Sequence, residues 1–264
     1  MKVLDLFSGI GGFSLGLELT GGFETVAFCE IDPYCQEILR MQWPDVPIFS
    51  DIQELTNDTL RECDISPDII VGGFPCQDIS TAGKGEGIIG ERSGLWKEMF
   101  RLIRDVRPAW AVIENVSALR SKGLVMVLED LSSLGYISQW HCISASSIGA
   151  PHQRDRIWIT GHLAHTYTRC DRENQKIQAR GDAFNSSRED VAYTRCKPTQ
   201  VPIEGGQPAE QESQWPTPWE AEPSVGRVVD GLPNRMDRLK ALGNAVVPQI
   251  PYAIGRAILE VIDE

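Results

Sequence analysis

The first thirteen residues constrain this chain more than any other stretch. Residues 2–7 are apolar enough to read as a buried strand, and they run into Asp5-Leu6-Phe7-Ser8-Gly9-Ile10-Gly11-Gly12-Phe13. Glycines at a strand-to-helix turn let backbone amides approach a ligand closely. Apolar runs then alternate with helical patterns: strands over 25–30, 68–72 and 111–114, helices over 33–41 and 95–106. Pro33 suits a helix's first turn. Residues 137–144 and 156–159 read as a closing pair of strands. Repeated strand–helix alternation predicts an α/β fold around a mostly parallel sheet.

A length of 264 residues allows one large domain and a small lobe. Hydrophobic residues at 42% and charged residues at 23% are ordinary for a folded chain and argue against disorder. Residues 164–222 break the pattern, being polar and rich in Gln, Arg, Thr, Pro and Glu. They mark an irregular lobe, bounded at 164–229, inserted into a domain made of 1–163 and 230–264. An amphipathic helix over 250–262 is expected to pack back on that domain. The apolar runs are strand-sized, so no membrane span is expected. No signal peptide is expected before the first strand, and the seven cysteines form no Cys-x-x-Cys pair. Free thiols in a reducing, cytoplasmic setting are expected.

A net charge of −12 at first disfavours a nucleic-acid partner. The acid is concentrated, however: residues 1–75 hold 3 basic and 13 acidic side chains, against 10 and 9 in 76–160. Nucleic acid is therefore allowed on local basic faces. Candidates are Arg101, Arg104 and Arg107; Arg154 and Arg156; and Arg227, Arg235 and Arg238.

Four motifs carry chemistry. The glycine turn alone indicates a nucleotide-like cofactor, and Ser14 excludes the G-x-G-x-x-G dinucleotide fingerprint. Glu30, 21 positions after Gly9, ends the second strand, where a carboxylate can accept from both ribose hydroxyls. Asp51, at the end of the third, could accept from an adenine amino group. The second motif is Gly72-Gly73-Phe74-Pro75-Cys76-Gln77, which puts Cys76 at the carboxyl edge of the sheet, where a thiolate could be a nucleophile. The other cysteines read as small buried hydrophobes. Glu114-Asn115-Val116 supplies a strand-end carboxyl for acid chemistry or for holding a base. His152-Gln153-Arg154-Asp155-Arg156 places two arginines on one face of a strand. The plain structural alternatives are a tight turn, strand-end carboxylates and a surface ion-pair cluster.

Together with Gly243-Asn244-Ala245-Val246-Val247-Pro248, these motifs resemble the cytosine-5 DNA methyltransferases in order and spacing over about 1–160 and 235–260. The chain departs in having His152 where the family usually has glutamine, and in residues 222–231, which lack the usual Arg-Glu helix. The resemblance implies a Rossmann-like fold that uses S-adenosylmethionine and releases S-adenosylhomocysteine, with no metal. Phe7, Gly9, Ile10, Gly11 and Gly12 would line the cofactor's amino-acid end, and Glu30 its ribose. Ile31 would lie against the adenine, with Asp51 and Ile52 on its edge. Pro75, Asn244 and Val246 would complete that site. Cys76 would attack carbon 6 of a cytosine flipped out of duplex DNA. Glu114 would contact the ring, and Arg154 and Arg156 would support the adduct. Gln77, Ser80, Lys84 and Arg92 would meet DNA from a closing loop over 80–95, and the 164–229 lobe would recognise the target. The expected protein is a monomer, with a restriction endonuclease as a genetic rather than physical partner.

Two alternatives stand beside this. A tRNA methyltransferase of the same architecture usually has a second proline where this chain has Phe74. A catalytically idle DNA-binding protein would not need Cys76, Glu114 and both arginines. His162, His165, Cys170 and Cys196 are spaced too loosely for a four-ligand zinc site.

Overall fold

A computed structural model describes residues 1–75, 94–150, 152–163 and 235–263. All of these belong to one compact unit formed by both ends of the chain. The expected lobe at 164–229 lies outside them.

Seven strands form one sheet: β1 (Lys2–Leu6), β2 (Glu24–Cys29), β3 (Ile48–Phe49), β4 (Ile69–Gly72), β5 (Trp110–Val116), β6 (Tyr136–Ser144) and β7 (Asp155–Leu163). Their order is β3-β2-β1-β4-β5-β7-β6. The first five run parallel, while β7 is antiparallel to both β5 and β6. The helices are α1 (Gly12–Glu18), α2 (Pro33–Gln42), α3 (Asn57–Glu62), α4 (Gly94–Val106), α5 (Leu119–Lys122), α6 (Leu124–Ser133), α7 (Arg235–Asn244) and α8 (Gln249–Asp263). The mixed, mostly parallel α/β architecture agrees with the sequence expectation.

Alternation along the central strands builds two cores. Leu4, Leu6, Ile70, Ala111, Ile113, Ile157 and Ile159 face one side, with Trp96 and Met99 of α4 and Val127 and Leu131 of α6. Val3, Ile69, Val71, Val112 and Trp158 face the other, against Phe13 and Leu17 of α1 and Ile250 and Ile258 of α8. Burial on both faces explains why β1, β4 and β5 read as continuous apolar runs. The sequence order reverses direction at β1, with β2 on one side and β4 on the other. In open α/β sheets the crevice at the carboxyl end of such a point is where ligands bind.

Some elements were not expected from the pattern. Helix α6 carries its core contacts at Leu124, Val127 and Leu131, a helical spacing masked by apolar neighbours such as Val125. Strand β7 is nine residues long, where only four were expected, because it pairs along its length with β5 and β6. The arginines at 101, 104 and 107 do not form a free basic face. Arg101 donates to the Ile52 and Leu55 carbonyls at 2.8 and 2.9 Å and pairs with Glu98. Arg104 pairs with Asp105, and Arg107 donates to the Leu134 carbonyl.

The segment Met236–Ile262 has the length and apolarity of a membrane span. Here, however, it is broken between α7 and α8, and α8 lies on α1. Close backbone approach makes that packing possible. A Cβ on Gly12 would stand 2.4 Å from the Val246 carbonyl oxygen, and one on Gly16 would stand 2.2 Å from that of Pro248. We expect Gly12→Ala to push residues 246–248 off α1 and to cost about 1–3 kcal/mol. A denaturant midpoint unchanged from the parent chain would contradict this.

Candidate functional site

The ends of β1, β2, β4 and β5 converge on a cavity of about 500 Å³, closed on the far side by the end of α7 and the residues after it. The turn after β1 is left-handed at Phe7 (φ 54°), Gly9 (54°) and Gly11 (83°). For the side-chain-bearing Phe7 this conformation costs about 1–2 kcal/mol. Buried Ser8 holds the turn, its hydroxyl donating to the Asp5 carbonyl at 2.6 Å, and Gly11 N–H donates to the Ser8 carbonyl at 2.8 Å.

Asp5 is fully buried beneath this turn, and its Oδ2 accepts from the Ser14 hydroxyl at 2.8 Å. Burial pushes its carboxyl up to about 8, against the lowering effect of the Ser14 hydrogen bond. The unfolded chain ionises this group near 3.8 and the folded chain near 8, so between those values the folded chain holds the extra proton. Asp5's contribution to stability is therefore best below about pH 4 and declines as pH rises towards 8. Asp5→Asn should flatten that decline, measured as denaturant midpoints at about pH 5 and about pH 8.

Glu30, just after β2, is oriented before any ligand arrives. Gly9 N–H donates to its Oε2 at 2.7 Å and Asp32 N–H to its Oε1 at 2.8 Å. Each oxygen keeps a lone pair for a further donor. Ile31 lines the cavity yet is 73% exposed, an apolar surface at the rim. Asp32 caps α2 by accepting from Tyr34 N–H and pairs with Lys240 of α7 at 2.6 Å. The Lys240 hydrogen bond holds the Asp32 carboxyl below its ordinary range. Asp51 and Ile52 follow β3 on the same wall.

Across the cavity, Arg156 Nε pairs with Glu114 Oε1 at 2.9 Å. Burial raises the Glu114 carboxyl, opposed by the charges of Arg156 and then Arg154. Gly73 leaves room for it, since a Cβ there would stand 2.8 Å from Glu114 Oε2. Buried Asn115 ties two strand ends together. Its Nδ2 donates to the Phe74 carbonyl at 3.0 Å, and its Oδ1 accepts from Val116 N–H at 2.8 Å. Arg154 turns the other way, donating to the Gly243 and Ala245 carbonyls at 2.7 and 2.9 Å.

The cavity thus gathers Phe7, Gly9, Glu30, Ile31, Asp51, Ile52, Pro75, Glu114, Arg154, Arg156, Asn244 and Val246 from the sequence expectation. Ile10, Gly11 and Gly12 do not line it. Gly11 and Gly12 instead admit Trp43 and Val246 against the turn. Cys76, Gln77, Ser80, Lys84 and Arg92 lie outside the described residues. Lining residues that the motifs did not single out include Asp32, Cys35, Ser50 and Lys240. Asp32 lies directly before Pro33 but belonged to no motif, and Lys240 had no local signal. Among the described residues, no group of three or more His, Cys, Asp or Glu could hold a metal ion.

Residues 1–213 match the family described as C-5 cytosine-specific DNA methylase. The chain belongs to that family. A type II methyltransferase of Bacillus subtilis, M2.BsuMI, is 42% identical over 171 residues, covering 62% of this chain and 42% of that protein. Another from Dactylococcopsis salina, M.DsaV, is 36% identical over 165 residues, 61% of this chain and 45% of that protein. The chain therefore spans less than half the length of these two methylases. Among solved structures, a mutant of Spodoptera frugiperda DNMT2 superposes with a TM-score of 0.53 at 23% identity, over 63% of this chain and 51% of that one. That likeness concerns the fold, which is the Rossmann-like fold of S-adenosylmethionine-dependent methyltransferases.

Proposed function

We propose that this methylase transfers a methyl group to carbon 5 of cytosine in duplex DNA, through a covalent bond from Cys76. The observation that carries the reading is that one cavity joins a nucleoside-type wall, Glu30 with Ile31 and Asp51, to the buried Glu114–Arg156 pair, with Pro75 between them. Cys76 is the next residue in the chain.

The donor set fits S-adenosylmethionine. Glu30 presents two pre-oriented oxygens suited to ribose hydroxyls, and Ile31 an uncovered apolar face suited to adenine. Asp51 stands near for the adenine amino group. When bound, the cofactor supplies a methyl group activated by a sulfonium. The remaining steps belong to this chain's residues. The Cys76 thiolate adds to carbon 6 of an extruded cytosine, which makes carbon 5 enamine-like and nucleophilic. Burial favours the protonated form of Glu114, which can donate to ring nitrogen 3 as negative charge develops there. Arg156 stabilises the carboxylate that remains. Once carbon 5 carries the methyl group, a water takes its proton, the carbon 5–carbon 6 double bond re-forms, the sulfur–carbon bond breaks and the thiolate leaves, while ring nitrogen 3 returns its proton to Glu114.

Gln77, Ser80, Lys84 and Arg92 would meet the DNA, and residues 164–229 would choose the sequence. The enzyme would act as a cytoplasmic monomer without a metal. The test is transfer of tritiated methyl groups from S-adenosylmethionine to duplex DNA and, separately, to tRNA. Incorporation into DNA at carbon 5 of cytosine supports the reading. Incorporation into tRNA alone moves the substrate to RNA, and cofactor binding without transfer to either favours an idle DNA-binding protein.

A further inference from the structure

The two arginines of the 154–156 motif take different partners. Arg156 pairs with Glu114, while both terminal nitrogens of Arg154 are committed to the Gly243 and Ala245 carbonyls, 89 and 91 residues away in sequence. Those carbonyls flank Asn244, the last residue of α7. The final carbonyls of a helix lack intrahelical donors and carry partial negative charge. A planar guanidinium matches two such acceptors at once, and a lysine ammonium does not. The next residue, Val246, rests its carbonyl over Gly12 at the cofactor turn. Asn244, Ala245 and Val246 all line the cavity.

We infer that Arg154 is a positioning residue for the cofactor: it caps α7 and so fixes residues 244–246 as the far wall of the cofactor site, leaving the base-side chemistry to Arg156. The inference rests on the methyltransferase reading above. Arg154 acts through the segment it holds; burial and then the nearby Arg156 charge lower its basicity, with the Glu114 charge opposing them.

The test compares Arg154→Ala, Arg154→Lys and Arg156→Ala in the full chain. Affinity for S-adenosylhomocysteine is read by calorimetry, and methyl transfer is read at saturating cofactor. Removing the cap should raise the cofactor Kd about tenfold or more, with most of the transfer rate recovered at saturation. The lysine variant, which can reach one carbonyl, should fall between. Arg156→Ala should bind cofactor nearly as the parent does and lose transfer. Hydrogen exchange without ligand gives a second readout: Arg154→Lys should speed exchange at the amides of residues 245 and 250 while leaving β5 unchanged. Unchanged cofactor affinity and exchange in the Arg154 variants, with transfer lost, would place Arg154 on the base side and overturn the inference. Failure of the parent chain to bind S-adenosylhomocysteine would sink the methyltransferase reading instead, and the exchange comparison would still decide whether Arg154 holds the segment.

Discussion

Cys76→Ser is expected to lower methyl transfer by at least about 10³-fold while leaving the cofactor Kd within about twofold. The hydroxyl is close in size to the thiol but is a far weaker nucleophile near neutral pH, and it has no neighbouring base assigned to activate it. The proposed cofactor wall follows β1, β2 and β3, and its polar contacts at Glu30 come from the backbone of residues 9 and 32, so they do not depend on this side chain. DNA carrying 5-fluorocytosine should trap the parent enzyme, because fluorine cannot leave carbon 5 as a proton does. Peptide mapping should find the nucleotide on Cys76, and the serine variant should form no adduct. Retained turnover in the variant, or an adduct on another cysteine, would remove the covalent mechanism.

The second large effect is expected at Glu114. Glu114→Gln keeps the size and one hydrogen-bond donor but cannot pass a proton, and it takes away the carboxylate that pairs with Arg156 at 2.9 Å. Transfer should fall by about 10²–10³-fold, the scale of losing one preorganised electrostatic partner in a dry site. The cofactor Kd should hold, and trapping by 5-fluorocytosine DNA should slow in parallel with transfer, since both need charge stabilised on the ring. A variant that traps DNA at the parent rate yet transfers poorly would separate Glu114 from the attack step. A variant that loses cofactor affinity would place the carboxylate on the other side of the cavity.

Much of the site was legible because its residues sit at strand ends. Strands that end near the crevice leave the side chains around their carboxyl ends there, which is why Glu30, just after β2, and Glu114, two residues before the end of β5, could be picked out from short apolar runs. The glycine turn was legible for the same reason, although its glycines divide the work. Gly9 lines the cavity, whereas Gly11 and Gly12 make room for Trp43 and Val246. That division follows from which neighbours come within reach, and the local sequence says nothing of those. Lys240 was invisible because it precedes the Gly243–Pro248 motif and lies 208 residues from the Asp32 it meets.

The alternation of apolar runs with helical patterns was enough to point to a mostly parallel sheet, since burial on both faces demands such strands and the crossovers demand helices between them. Which strand ends meet at the crevice followed from the spatial order, with β1 between β2 and β4. Partner choice was decided only in three dimensions. Arg154 and Arg156 share one face of one motif, yet one turns to Glu114 and the other to carbonyls some ninety residues away. A side chain's range is a few ångströms in space, and sequence distance does not measure it. The tertiary fold alone could bring the end of α7 to the glycine turn after β1 and assign each arginine its partner.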